Sequence, residues 1–198
     1  GKYYHHRIVN PWVLPIQKPH PPIWFPGGSS PESVTWAAGL LALASLAMFE
    51  LVRREGDRAG LSEPTSRLIG GAIGAIVIAT PWSIVVGTLA YNEMGVVLLG
   101  GVALLVALDD RIVPAGRGAV TGLLVGAACG CKPTALLLVA PGVAIALALR
   151  TPPRAWWRIA IVGAPVGLIM LAPWLVRNWI ASGNPVFPAL SSVFGIGH

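Results

Sequence analysis

The residues of this chain that could do chemistry are a few charged and amide side chains set between long apolar runs. Glu93 opens one run, Lys132 interrupts another, and Arg177 stands near the end of the last one, followed by Asn178 and Asn184. An arginine fork grips two phosphate oxygens, and a lysine adds a point charge. One carboxylate with two cations therefore suits a phosphate-bearing ligand. Ionisable groups at membrane depth are costly, so a converging set indicates a binding site.

Each of these side chains also has a simpler interpretation. Lys132 and Arg177 could extend to the membrane interface without binding anything. Glu93 could be the solvated first residue of a helix, where its charge suits the helix dipole. Asn178 and Asn184 fit turn and cap hydrogen bonds better than a chemical step. The site hypothesis therefore depends on the residues acting together.

The composition predicts a polytopic membrane protein. Of the 198 residues, 55% are hydrophobic and 11% are charged, and the mean hydropathy is +0.70. Soluble domains carry about a quarter charged residues. The net charge of +6 comes from arginines in short segments between apolar runs. This pattern reports membrane topology, so we expect membrane lipid as a partner and no nucleic acid.

The apolar runs predict an all-α bundle of about six transmembrane helices. The run 118–149 would be about 48 Å long as one helix, against a hydrocarbon core of about 30 Å. We expect it to break into two spans at Gly130, Cys131, Lys132 and Pro133. Together with this pair, the predicted spans cover about 33–52, 67–80, 93–108 and 159–176.

Proline content and charge divide the chain into three parts. Residues 1–31 hold seven prolines and predict an external segment along the membrane surface, because lipid offers no partner for interrupted backbone hydrogen bonds. Residues 32–190 form the transmembrane domain, and 191–198 form a tail. Basic segments at 53–58 and 150–158 belong inside by the positive-inside rule. Residues 81–92 and the candidate site residues then lie outside, as do both ends of the chain.

Other motifs favour packing over chemistry. Glycines 118, 122, 126 and 130 recur every fourth residue, which predicts a groove where another helix approaches closely. Cys129 and Cys131 are too close for an easy disulfide and too few for a metal, so no metal site is predicted and both are interpreted as packing residues. The pair Asp109 and Asp110 lies on the inner side and is interpreted as a helix-end feature.

Four short motifs occur in order along residues 15–190. They are Lys18-Pro19-His20-Pro21-Pro22-Ile23-Trp24-Phe25, then Pro81 with Tyr91-Asn92-Glu93, then Gly122 and Gly126 with Lys132-Pro133-Thr134-Ala135-Leu136, and finally Trp174 through Arg177-Asn178 to Gly183-Asn184-Pro185-Val186-Phe187-Pro188. In that order the motifs resemble the GT-C glycosyltransferases, and within them the protein mannosyltransferase-like family 39. The last motif is the most specific of the four.

The resemblance implies transfer of a sugar from a polyprenyl-phosphate carrier to an acceptor on the external face of a bacterial plasma membrane. The donor is the polyprenyl-phosphate-linked sugar, whereas a divalent metal and the nature of the acceptor (lipid, protein or glycan) are left open. On this basis Lys132 and Arg177 hold the carrier phosphate, and Glu93 is the external acid that orients the acceptor or a metal. The expected pocket-shaping residues are His20, Asn92, Asn178 and Asn184.

The chain departs from the family pattern at its start. The family's base is usually an aspartate in the first external loop, yet no carboxylate occurs between Gly1 and Glu32. We therefore expect a truncated relative that lacks the first span, its acid and the C-terminal portion. The alternatives are a transporter or flippase-like module for lipid-linked sugar, which would use the same cations without catalysis, and a non-catalytic packing subunit.

Overall fold

The computed structural model describes residues 31–88, 93–187 and 190–194. Within these ranges the chain forms helices and no strand, which confirms the predicted all-α fold class. The predicted surface segment before Pro31 lies outside the described residues, as do His20 and Asn92. The helices are α1 Pro31–Arg58, α2 Glu63–Ala79, α3 Pro81–Thr88, α4 Glu93–Ala107, α5 Pro114–Cys131, α6 Ala135–Leu138, α7 Ala140–Leu149, α8 Trp156–Ser182 and α9 Ser191–Phe194, with a 3₁₀ turn at Pro153–Ala155.

Prolines set several of the helix boundaries. Thr80 separates α2 from α3 in an extended conformation, with φ −62° and ψ 121°, directly before Pro81. Lys132 ends α5 with φ −152° and ψ 118°, directly before Pro133. A residue before proline disfavours the helical conformation because the proline ring clashes with its backbone. The break predicted at 130–133 is therefore present, and it places Lys132 at a helix end.

Helices α5 and α8 pack backbone to backbone through glycine. A Cβ atom added to Gly122 would lie 2.1 Å from the carbonyl oxygen of Gly163, and one on Gly126 would lie 2.3 Å from that of Gly167. The second contact lies further toward the C-terminus on both helices, so α5 and α8 run parallel. The spacing of the glycines predicted this close approach. A Cβ atom added to Gly130 would meet nothing within 4 Å, so the contact ends before that residue.

The remaining helices alternate in direction and give the bundle two ends. Gly56 meets Ser66 and Gly74 meets Ser45, so α2 returns antiparallel to α1. Arg150, after α7, pairs with Glu55 near the end of α1. We call this the arginine end; α1, α4 and α7 finish there, and α2, α5 and α8 begin there. We call the other the Glu93 end; α4 begins there, and α5 and α8 finish there.

The bundle buries small residues and exposes large apolar ones. The fully buried side chains of greatest volume are Asn184 and Ser66, and most buried hydrophobic residues are alanines. By contrast, Leu137 is 77% exposed and Ile180 is 81% exposed. A soluble protein places its large apolar residues inside. Helices that associate in lipid have interfaces of small residues, because the hydrocarbon around them is as apolar as leucine.

Two helical segments among the described residues, Thr35–Arg58 and Pro153–Ser182, are long and apolar enough to cross a membrane. The segments Glu93–Ala107 and Ala135–Leu149 are apolar but shorter. Length and composition therefore do not confirm the predicted count of six spans.

Several element boundaries differ from the predicted ones. Residues 53–58, expected in a loop, continue α1, because Arg53 pairs with Glu50 and Asp57 at helical spacing. Residues 81–88, expected in an external loop, form α3, and part of the expected tail forms α9. Helix α8 contains Pro165 and Pro173 and continues to Ser182, where Gly183 ends it with φ 69°. The helix therefore extends beyond the predicted end of the span at 176 and includes Arg177 and Asn178.

Candidate functional site

The structure brings Glu93 and Lys132 together at the Glu93 end. Glu93 is the first residue of α4, and the ammonium of Lys132 donates a hydrogen bond to its carboxylate in an ion pair. The side chain of Lys132 is 43% exposed and that of Glu93 is 35% exposed. Two of the predicted site residues, far apart in sequence, thus form one partly exposed group of opposite charges.

Helix termini favour this arrangement. A carboxylate at the start of α4 complements the positive end of the helix dipole, and an ammonium after the last turn of α5 complements the negative end. The backbone N–H of Lys132 still donates to the carbonyl of Ala128 at 3.0 Å, which anchors the residue to α5. Pro133 follows directly, and the ammonium of Lys132 reaches Glu93 at the start of α4.

Arg177 lies at the same end but does not join the pair. Leu171 of α8 packs against Ala128 and Cys129 near the end of α5. Arg177 follows Leu171 by about 9 Å of helix at 1.5 Å per residue, which carries it past the level of Lys132. Its side chain makes no hydrogen bond or ion pair with any residue in the ranges 31–88, 93–187 and 190–194. Among those residues, the exposed guanidinium has no anionic partner.

Asn178 and Asn184 close the end of α8 through turn hydrogen bonds. The amide of Asn178 donates to the carbonyl of Phe187 at 3.2 Å, and the hydroxyl of Ser182 donates to the carbonyl of Asn178 at 2.8 Å. Asn184 is fully buried, and its side-chain oxygen accepts from the N–H of Val186 at 3.0 Å. These bonds hold the turn at 183–187 beside Arg177. A role in shaping a pocket stays a prediction, as it does for His20 and Asn92.

The arginine end holds a denser group of charges that the sequence motifs did not reveal. Asp109, expected only as a helix-end feature, is buried and accepts hydrogen bonds from Arg54 at 3.1 Å and Arg111 at 2.6 Å. Hydrogen bonds from Arg111 lower the pKa of Asp109 well below its usual range, and they outweigh burial, which raises it. The same contact raises the pKa of Arg111. Asp109 is thus a fixed anion that joins the end of α1 to the loop after α4.

Arg117 is the buried member of this group. Its side chain is 5% exposed, and one guanidinium nitrogen donates to the carbonyls of Ala107 at 3.3 Å and Arg150 at 3.2 Å. It thereby caps the C-terminal ends of α4 and α7, and it pairs with Asp110 at 3.6 Å. A signal was available in the sequence, because a cation in the first turn of an apolar helix opposes the helix dipole and needs partners.

An apolar cavity of about 500 Å³ lies between α5, α7 and α8. It is lined mostly by aliphatic and glycine residues, among them Val125, Leu136, Val143, Leu147 and Leu171. Its polar member, Thr121, has a hydroxyl that already donates to the carbonyl of Arg117 at 2.6 Å. The thiol of Cys129 also lines the cavity, whose surface is otherwise apolar.

Within the described part of the chain, no three His, Cys, Asp or Glu residues come together as a metal site. Cys129 is buried and Cys131 is exposed. The interpretation of both as packing residues therefore holds for Cys129, whereas Cys131 faces outward.

No protein-family model, curated protein or solved structure matches this chain. The resemblance to the GT-C glycosyltransferases thus remains an expectation from the sequence motifs. The function has to be inferred from the two charged ends of the bundle.

Proposed function

We propose that the chain is an integral protein of a bacterial plasma membrane and crosses it six times, through α1, α2, α4, α5, the α6–α7 segment and α8. The exposed large apolar side chains and the small-residue interior support a lipid-facing surface. The alternating helix directions support successive crossings. The positive-inside rule assigns the arginine end to the cytoplasm and the Glu93 end to the outside. The shorter helices fit a locally thinner bilayer or the protected interior of the bundle.

The proposed activity is transfer of a sugar from a polyprenyl-phosphate carrier to an acceptor at the outer face. The observation that carries this proposal is the Glu93–Lys132 ion pair, which lies at the same end of the bundle as Arg177. Two cations of different geometry at an interface suit a lipid-borne phosphate, because arginine binds two oxygens and lysine supplies a point charge. The carboxylate beside them suits the hydroxyl of an acceptor.

The reaction assigns a role to each of these side chains. The acceptor oxygen attacks the anomeric carbon, the bond from that carbon to the phosphate oxygen breaks, and the electron pair leaves with the carrier phosphate. Lys132 and Arg177 bind that phosphate and stabilise the charge that grows on it. As Lys132 turns to the phosphate, Glu93 is released to orient the acceptor hydroxyl and to accept its proton.

A transporter of lipid-linked sugar is the second candidate, and one observation favours it. The helical path from α5 to α7 is interrupted at Lys132, and transporters bind substrates at discontinuous helices. Their interruptions lie near the middle of the membrane, whereas Lys132 lies at the end of the bundle. The enzyme is therefore the preferred proposal.

The test uses membranes that contain the protein and a polyprenyl-phosphate sugar with a radiolabelled sugar. We expect donor binding and sugar transfer, both reduced at least about tenfold by Arg177→Gln, because a charge-assisted contact to phosphate is lost. Arg158→Gln is the matched control, since Arg158 lies on the same helix near the arginine end and contacts the ring of Trp157. Equal transfer by Arg177→Gln contradicts the assignment. Donor binding with movement across the bilayer but no transfer supports the transporter.

A further inference from the structure

We propose that the start of α8, at the arginine end of the bundle, binds the headgroup of an anionic phospholipid. Two arginines, Arg154 and Arg158, and two tryptophans, Trp156 and Trp157, form this surface, which we call the α8 surface. The proposal rests on the membrane location proposed above. It does not depend on the transfer reaction, because the α8 surface lies at the opposite end of the bundle from Glu93.

The two arginines carry the positive charge that stays unpaired at the arginine end. Nine arginines occur between residues 50 and 158, and all of them lie at this end. Seven of the nine form ion pairs, and six carboxylates are the partners of all seven. Arg154 and Arg158 form no ion pair with any described residue. The described carboxylates therefore leave these two cations unneutralised.

Helical spacing brings the two cations to the same side of the chain. Arg154 lies in the 3₁₀ turn directly before α8, and Arg158 lies in the first turn of α8. Residues four apart in a helix are neighbours, about 6 Å apart along the axis. Both arginines are exposed, and no acidic residue occurs in the first turn of α8. One phosphate group can therefore accept hydrogen bonds from both guanidinium groups.

The two tryptophans place this surface at the depth of the lipid headgroups. Trp156 is 47% exposed and Trp157 is 60% exposed. Trp156 donates a hydrogen bond from Nε1 to the carbonyl of Thr151 at 2.9 Å, which fixes its ring. The guanidinium of Arg158 lies 5.5 Å from the ring centre of Trp157. Because tryptophan is enriched where a membrane meets water, this contact holds the cation at the level of the lipid phosphates.

An anionic phospholipid complements the α8 surface better than a zwitterionic lipid or free phosphate does. Phosphatidylglycerol carries a net negative charge, whereas phosphatidylcholine carries none. Each basic residue near an anionic membrane surface strengthens the attraction about fivefold. Free phosphate has no apolar part for the exposed tryptophan rings to contact. The combination of two unpaired cations with two interfacial rings therefore favours the anionic lipid.

The test places the full chain in nanodiscs of phosphatidylcholine with a minor fraction of phosphatidylglycerol. Native mass spectrometry then counts the molecules of each lipid that stay bound to the released protein. We expect the wild-type chain to retain phosphatidylglycerol in preference, and Arg154→Gln with Arg158→Gln to reduce that preference at least about tenfold. Both residues are exposed and form no described ion pair, so the double variant should fold; a thermal unfolding scan checks this.

A single substitution elsewhere at the arginine end provides the matched control. Arg67 is also an exposed cation at this end, but it pairs with Glu63. We expect Arg154→Gln and Arg158→Gln each to reduce the preference for phosphatidylglycerol about fivefold. Arg67→Gln should reduce it less than about twofold, because the charge of Arg67 is already matched by its partner.

Four results would overturn the site. These are an unchanged preference in the double variant, an equal loss in Arg67→Gln, displacement of phosphatidylglycerol by inorganic phosphate at matched ionic strength, and a wild-type chain that enters the nanodisc without retaining phosphatidylglycerol. The last result leaves the proposed membrane location intact. A chain that does not enter the bilayer overturns that location together with the site.

Discussion

The two ends of the bundle hold their charged residues in different ways. At the arginine end, carboxylates are shared between arginines: Asp109 binds Arg54 and Arg111, and Glu55 binds Arg58 and Arg150. At the Glu93 end, one ion pair among the described residues joins α4 to α5. Arg177 lies at the same end, with no ion-pair partner in the part of the chain that the structure describes.

The ion pairs of the arginine end hold helices together, whereas the residues proposed to bind a ligand lie at the Glu93 end. An arginine that pairs with carboxylates from two parts of the chain holds those parts together. Its removal leaves a partly buried carboxylate without a partner. The exposed pair at the Glu93 end contributes little to folding, since exposed ion pairs contribute at most about 1 kcal/mol. We therefore expect substitutions at the arginine end to affect stability, and those at the Glu93 end to affect ligand binding.

The largest effect on stability is expected at the glycine contact between α5 and α8, the two helices that run from the arginine end to the Glu93 end. Gly122→Ala places a Cβ atom 2.1 Å from the carbonyl oxygen of Gly163, so α5 and α8 must separate. We expect the free energy of unfolding to fall by about 3 kcal/mol in a denaturation titration in detergent. Gly130→Ala is the control, because its Cβ meets nothing within 4 Å. Equal stability of the two variants would refute the close packing.

A smaller loss is expected at the buried cation of the arginine end. Arg117→Met keeps an unbranched apolar stem but leaves the carbonyls of Ala107 and Arg150 without their donor. We expect the free energy of unfolding to fall by about 2 kcal/mol. Arg67→Met removes an exposed cation that pairs with Glu63 and should change stability by less than about 0.5 kcal/mol. If Arg117→Met matches that control, Arg117 does not cap the two helices.

Acid should weaken the arginine end through Asp109. Its folded-state pKa is lowered, first by hydrogen bonds from Arg111, so the unfolded chain takes up the proton more readily. The stabilisation is complete above the unfolded pKa of about 4 and is lost as the pH falls toward the lower folded-state pKa. Asp109→Asn should show a shallower loss of thermal stability below about pH 4. Parallel acid profiles of the two proteins would contradict this role.

The smallest effect on stability is expected at Arg177. Arg177→Gln should change the free energy of unfolding by less than about 0.5 kcal/mol, because no ion pair within the described residues is lost. Binding of a polyprenyl-phosphate sugar in membranes should nevertheless weaken. A thermal unfolding scan of the same samples separates the two quantities. A large loss of stability would show that Arg177 belongs with the structural arginines.

Local sequence signals predicted the features that depend on nearby residues. The recurring glycines predicted the close approach on α5, and Pro133 predicted the break that places Lys132 at a helix end. Apolar runs located the main helices. Helix ends were less predictable, because pairs such as Arg53 with Asp57 extend α1 through charged residues that are typical of a loop.

The network at the arginine end could not be predicted from the sequence. Arg150 and Glu55 meet only because α7 and α1 finish at the same level. Hydrophobic periodicity identifies the buried face of a helix but not the helix that covers it. The convergence of Glu93 with Lys132 was accessible because topology alone places both at one end. The sequence did not predict that Arg177 stays outside this pair; only the structure shows it.

The two prolines of α8 give its last turns a mechanical property that its first turns lack. Pro165 and Pro173 have no N–H, so the carbonyls of Ile161 and Ile169 lose their usual helical donors. The glycine contact with α5 clamps the helix as far as Gly167, whereas Arg177 lies beyond Pro173. The end of α8 is therefore less constrained than its base. In the proposed function, this lets Arg177 adjust to phosphate carriers of different size without disturbing the glycine contact.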